Sequence, residues 1–439
     1  MTARPHAAPV PRSAPGRRRR VVPAAVATVL ACALVAGTAG CSADDADDVP
    51  PTRGDIAAML VRHAAAVRAH DAPAFLADVA GDAFGRRQRS AFAGIAAVPL
   101  SRWSYALGPP VAAEAQRAVR ARRGGGAVVV RVTLRYAVRG VDAVATSRDL
   151  WWTVVRRDGR AVVVADTDLA DDGGRSWRGP WDFGALRVLR GAGVVVLAHP
   201  RDVTLARTVL ADAARAVPVV TGVVGRGWAR AVAVIVPASA AERAAALGAA
   251  ASSGAEVGAV ATSDGQDVLT GRPYGQRVVV VPDELRRLTP TATRLVLQHE
   301  ITHLATATWT TDATPRWLVE GFADYVGYLG NERPVAAAAA ELRALVRRSG
   351  VPRTLPTAAD FDTAATNATA YQLSWLACRS VAQRHGRVAL VRLYRAVAAA
   401  GTSGNSSDEA VAIALRQVLH ETPARFTAAV RAAVAEQLA

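Results

Sequence analysis

"LQHEITHLAT", residues 297–306, sets His299 and His303 four apart with Glu300 between them, in a chain of 439 residues that holds eight histidines. Upstream, Thr289 is a candidate N-cap and Pro290 suits a first helical position, so the spacing predicts a helix running through the motif. On such a helix the two imidazoles project from one face a turn apart and can converge on one ion. Glu300 is rotated off that pair, free to reach a water on the ion. Catalytic zinc keeps three protein ligands and one open position, so a third ligand is required.

The next segment offers one. "TPRWLVEGFADYVGYL", residues 314–329, opens with a proline and places Glu320 and Asp324 four apart on one helical face. Glu320 would complete a site of two histidines and a glutamate. Asp324, one turn on, would accept a hydrogen bond from the outer nitrogen of a ligand histidine and fix its tautomer. The competing reading makes both carboxylates solvated, but Trp317, Leu318, Phe322 and Tyr325 crowd the same segment and favour a packed helix.

"HEITH" followed by "WLVEGFADYV" resembles the gluzincin zinc metallopeptidases, in particular the peptidase-MA-like group related to M1 aminopeptidases. The motif resemblance spans residues 299–326 and extends in outline over 185–439. It implies Zn2+ held by His299, His303 and Glu320, with Glu300 as general base and then acid toward a peptide or protein substrate. Sixteen residues separate His303 from Glu320, fewer than in the better-known members. An oxyanion donor is expected from a downstream helix, where "NATAYQLSWLACRSVAQRHG" (367–386) offers Tyr371 and His385. Tyr371 is preferred, with a packing role equally open; His385, just before Gly386, reads as a helix-end residue. The Gly-x-Met-Glu-Asn segment by which M1 aminopeptidases capture a free amine is absent, since Met1 and Met59 are the chain's methionines. "RVVVVPDE" (277–284) reads instead as an edge strand able to pair with an extended peptide. An endopeptidase is thereby slightly favoured over an aminopeptidase.

Outward from the motif the expected fold class is α+β. A strand near 186–197, a helix near 202–216, a strand at 230–237, a helix near 240–249 and the 276–285 segment give a mixed sheet ahead of the motif. Residues 185–330 thus form the sheet and zinc-helix part of a gluzincin-type metallopeptidase domain, and 331–439 its helical part. Before it, 56–170 reads as a smaller α+β domain. Two helical patterns follow residue 54, "VVVRVTLRYAV" (128–138) alternates as a half-buried strand, and "SRDLWWTVVRRDGRAVVVAD" makes a hairpin turned by Asp158-Gly159. That order is similar to the small cone of nuclear-transport-factor-like domains in exported actinobacterial proteins. "DDGGRSWRGPW" (171–181) marks the boundary. His63 and His70, seven apart, read as packing or surface residues because no third ligand lies near.

The net charge of +16 suggests nucleic acid, but all 53 basic residues are arginine, six of them within the first twenty positions, and no basic stretch is interleaved with aromatics as a stacking platform needs. Nucleic-acid binding is therefore not expected. "RRRR" (17–20), an apolar run to residue 40 and then Cys41 describe an export signal over 1–40, and "TAGC" (38–41) resembles a bacterial lipobox. The resemblance implies a lipidated Cys41; the acidic, proline-containing stretch over 41–55 reads as a tether holding the body on the extracytoplasmic face of the cell membrane. A single uncleaved transmembrane anchor is the alternative. Of three cysteines, Cys378 stands alone in a helical pattern and reads as a core residue, so no disulfide framework is available. Two functional readings compete with the peptidase. One is a non-catalytic lipoprotein scaffold or binding module retaining the fold, for which Glu300 would be superfluous. The other is a zinc hydrolase of non-peptide amides. Oligomeric state is not readable.

Overall fold

The computed structural model describes residues 48–248, 258–267 and 271–439; the signal, Cys41 and the tether as far as residue 47 lie outside the described residues. Among those residues no helix is long and apolar enough to cross a membrane. The architecture is α+β.

The N-terminal part begins with α1 (Arg53–Ala69), started by a reciprocal cap in which the Thr52 hydroxyl accepts from the Asp55 N–H at 3.1 Å and the Asp55 carboxylate accepts from the Thr52 N–H at 2.9 Å. Helices α2 (Ala72–Ala77) and α3 (Asp82–Ala97) follow, then β1 (Leu100–Leu107), α4 (Ala113–Arg123), β2 (Val128–Val138), β3 (Thr146–Arg157) and β4 (Arg160–Ala165). The strands form an antiparallel meander in the order β1-β2-β3-β4. Asp158 and Gly159, at φ +49° and +71°, make the tight β3–β4 turn. Along β2 the alternating Val130, Val132, Leu134 and Tyr136 face a core with Met59, Phe75, Phe92 and Trp152. The sequence reading did not resolve α3, β1 or α4.

The second sheet runs β5-β6-β7-β11-β8: β5 (Arg187–Gly191), β6 (Val194–Ala198), β7 (Val232–Val236), β8 (Ala259–Thr262) and β11 (Arg277–Val280). Between β8 and β11 stands a small hairpin, β9 (Gly265–Gln266) and β10 (Pro273–Tyr274). β6, β7 and β11 are parallel, and β5 and β8 run against their neighbours. Helix α5 (Val203–Val224) links β6 to β7, and α6 (Ala240–Leu247) follows β7. The central strands are Val-rich throughout because both faces are covered. Val194, Val196, Val232, Val234 and Val278 meet the helices, whereas Val195, Leu197, Ile235 and Val279 meet the core of the N-terminal part.

Three expectations are corrected. The strand at 186–197 is two, β5 and β6, folded back at Gly193, whose φ is +70°. The helix from 202 does not stop before Pro218 but continues to Val224, because Val217, Val220, Val223 and Val224 are all buried and tertiary packing outweighs the lost backbone bond. The "RVVVVPDE" strand is not at an edge. β11 pairs with β7 on one side and β8 on the other, and its unbroken apolar run reflects that interior place. The edge on that side is β8, too short to have been read from sequence.

The boundary stretch 171–181 is itself packed. Trp181 is buried with its ring 5.3 Å from Trp103 and 5.7 Å from Trp177. The remainder is helical: α7 (Pro282–Arg287), α8 (Pro290–Thr306), α9 (Arg316–Gly327), α10 (Val335–Ala338), α11 (Ala340–Ser349), α12 (Asn367–His385), α13 (Arg387–Thr402), α14 (Ser407–Ala414) and α15 (Pro423–Leu438). α8 packs on α5 and α9, and α9 on α12. The last contact requires Gly321, where a Cβ would stand 2.3 Å from the Ser374 carbonyl oxygen.

Candidate metal centre

The Thr289 hydroxyl caps α8 by accepting from the Ala292 N–H at 3.2 Å, with Pro290 at the first helical position. Leu297, Ile301, Leu304 and Ala305 turn into the helical core, which aims His299 and His303 the other way. Their facing Nε2 atoms are 2.9 Å apart. From α9, Glu320 brings Oε2 to 3.3 Å from the Nε2 of His299 and 3.5 Å from that of His303. An ion with bonds of about 2.0–2.1 Å in a tetrahedral arrangement separates its ligand atoms by ~3.3 Å. Among the described residues, His299, His303 and Glu320 are the group whose donor atoms lie close enough to share an ion. Two imidazole nitrogens and one carboxylate oxygen at these separations fit zinc.

Asp324, a turn beyond Glu320, accepts from Nδ1 of His299 at 2.8 Å. That bond puts the ring proton on Nδ1 and leaves the Nε2 lone pair facing the cluster. Burial opposes a charge on His299, but the Asp324 carboxylate beside it prevails and raises its pKa well above the usual value. For Glu320, burial pushes the pKa up; His303 and His299 overcome it and hold the carboxyl far below the ordinary range. Glu300 is 7% exposed, and its Oε2 accepts from the Ala261 N–H of β8 at 2.7 Å. Burial raises its pKa against the opposing pull of His299 and His303.

The cluster opens on a cavity of about 590 Å³, walled on one side by Ala259–Ala261 of β8 and on others by Val296, Val319, Tyr328 and Trp375. Tyr371 also lines it, its ring centre 6.5 Å from that of His299. Burial raises the pKa of its phenol, keeping the hydroxyl protonated and able to donate. His385 lies elsewhere: at the end of α12 its Nε2 meets Glu421 Oε1 at 3.0 Å, consistent with a helix-end residue.

Two features were missed. The first is Arg316, which, like Tyr371, lines the cavity; it sits one turn before Glu320 and pairs with Asp362 at 2.6 Å. Its position directly before "WLVEG", on the face of Glu320, was the available signal. The second is β8, which gave no periodicity. Cys378 is fully buried in α12 with its thiol pKa raised by burial, a core residue. His63 is buried against Phe75, ring centres 4.0 Å apart, while His70 is the left-handed cap of α1, so the two do not form a site together.

No family model matches the chain, and no curated protein matches it. Among solved structures, the chain is similar to the crystal structure of a two-domain M1 zinc metallopeptidase mutant bound to L-arginine. The TM-score is 0.34 at 15% identity, over 70% of this chain and 61% of that one, so the chain spans under two thirds of that structure's length.

Proposed function

We propose that this chain is a zinc-dependent peptidase. The observation that carries the reading is the convergence of His299, His303 and Glu320 with Glu300 alongside, at one end of a cavity large enough for part of a peptide. Zinc, when bound, acidifies a water and polarises a carbonyl. Glu300, adjacent on α8, takes a proton from the attacking water and returns it to the leaving amine. Asp324 holds the His299 ring with Nε2 toward the ligand cluster. Tyr371, which lines the same cavity, donates its hydroxyl proton to the oxygen on which charge develops.

The reading extends to internal peptide bonds. β8 pairs with β11 on one side only and borders the cavity on the other, an arrangement that supports an extended chain lying alongside it. We further infer, from residues 17–41 alone, export and lipid attachment at Cys41, leaving the body outside the membrane.

The test is metal analysis of the purified body with peptide-library cleavage by the native sequence and Glu300→Gln. Stoichiometric zinc in both, and cleavage by the native protein alone, is the expected result. A zinc-loaded native protein that cleaves no peptide would overturn the peptidase reading, and stoichiometric zinc in Glu320→Ala would overturn the ligand set. For the anchor, mass spectrometry of the membrane fraction should show a diacylated N-terminal Cys41 peptide that Cys41→Ala abolishes.

A further inference from the structure

β8 is an awkward wall for a substrate cleft. It has four residues, one partner strand, and a free side toward the cavity; strands this short at a sheet edge open easily unless their ends are tied. Its middle is tied by the Ala261 N–H on Glu300. Its exit is tied to the N-terminal part of the molecule. Two residues past Thr262, the Asp264 carboxylate accepts from the Thr146 hydroxyl at 2.8 Å through Oδ2, and its Oδ1 pairs with the guanidinium of Arg148. Both partners lie on β3, more than a hundred residues earlier in the chain.

The fit around that carboxylate is tight. Gly275, at φ +64°, passes so close that a Cβ there would lie 2.1 Å from Asp264 Oδ2 and 2.5 Å from Thr146 Oγ1. The Asp264 N–H donates to the Tyr274 carbonyl at 2.9 Å, and the Arg148 guanidinium lies over Trp177, 5.1 Å from its ring centre. A second pair of opposite polarity stands next to it. Arg277, which faces Thr262 across the β8–β11 ladder, makes a two-pronged bond to Asp142 at 2.7 and 2.8 Å. The catalytic sheet contributes Asp264 and Arg277, and the N-terminal part contributes Arg148 and Asp142. Each of these wholly or partly buried charges is therefore matched across the boundary, and removing one partner would strand the other.

We propose that the N-terminal part positions the edge of the substrate cleft, with Asp264 as the positioning residue that locks the exit of β8 onto Thr146 and Arg148. This rests on the peptidase reading, with the peptide laid along β8. The N-terminal part is then one wall of the working cleft, and its sequence tunes substrate binding without touching substrate.

The test uses the full chain, native and carrying Asp264→Asn, Asp264→Glu, Arg148→Met, or the reversed pair Arg148→Asp with Asp264→Arg. Amide hydrogen exchange is read over 258–262, with 295–305 as reference, beside steady-state kinetics on a library-selected quenched peptide. Asp264→Asn and Arg148→Met should speed exchange in 258–262 about tenfold or more with the reference unchanged. They should raise KM several-fold while kcat changes less, and Asp264→Glu or the reversed pair should recover part of both losses. Unchanged exchange in 258–262 overturns the proposal, as does acceleration spread equally over both segments, which would mark general destabilisation. If the native protein cleaves no peptide, the exchange measurement still decides whether Asp264 locks β8, so failure of the peptidase reading is told apart from failure of the lock.

Discussion

At the scale of single residues, the proposed peptidase function gives each group at the centre a separable task. Glu300→Gln keeps the shape and removes the base, so kcat should fall by about 10²–10⁴ with zinc retained. Asp324→Asn leaves His299 without an ionic partner on Nδ1, and zinc affinity, read by competition with a chelator, should weaken by roughly 10–100-fold. A third residue tests stability instead of catalysis. His63 is buried among aromatic rings and its pKa is lowered to about 3 by that burial. The unfolded chain takes up a proton near pH ~6.5 while the folded one refuses it, so His63 costs stability as pH falls from there toward 3. The slope is about 1.4 kcal/mol per pH unit, or about 2 kcal/mol at pH 5. Asp182 works the other way: burial lifts its pKa to about 6, so its cost appears as pH rises through that window. The His63 effect is therefore read as a difference. Urea midpoints at pH 7.5 and 5 should diverge more for the native chain than for His63→Leu, and an equal shift in both would refute it.

At the scale of elements, the site exists because α8 and α9 approach closely enough for Glu320 to reach the two histidines. That approach is backed by α12, against which α9 presents Gly321 with no room for a side chain. Gly321→Ala should cost about 1–3 kcal/mol as an overpacked contact. Because α9 must shift to relieve it, calorimetry should show a lower Tm and zinc titration a weaker site; an unchanged zinc affinity would mean that the helix absorbs the strain locally. α8 and α9 were the most legible elements in the sequence, with a cap, a proline start and functional residues at helical spacing. β8 and the β5–β6 split were not, since four or five residues carry too little periodicity to declare a strand or its partner.

At the scale of the whole molecule, the five-stranded sheet is buried on both faces. The N-terminal part covers Val195, Leu197, Ile235 and Val279, so residues 185–439 expressed alone would expose an apolar sheet face. That fragment should be insoluble or bind hydrophobic dyes, while the full chain stays soluble; a well-folded monomeric fragment would refute the dependence. The sequence by itself determined the helix types, the candidate ligands and the pairing of Asp324 with His299, because those depend on spacing along one or two helices. Tertiary structure alone decided which strand is the edge, that Tyr371 faces the cavity and His385 does not, that Arg316 belongs to the site, and that Asp264 reaches across to β3. Each of those depends on partners tens to more than a hundred residues away, and a local pattern carries no record of a distant neighbour.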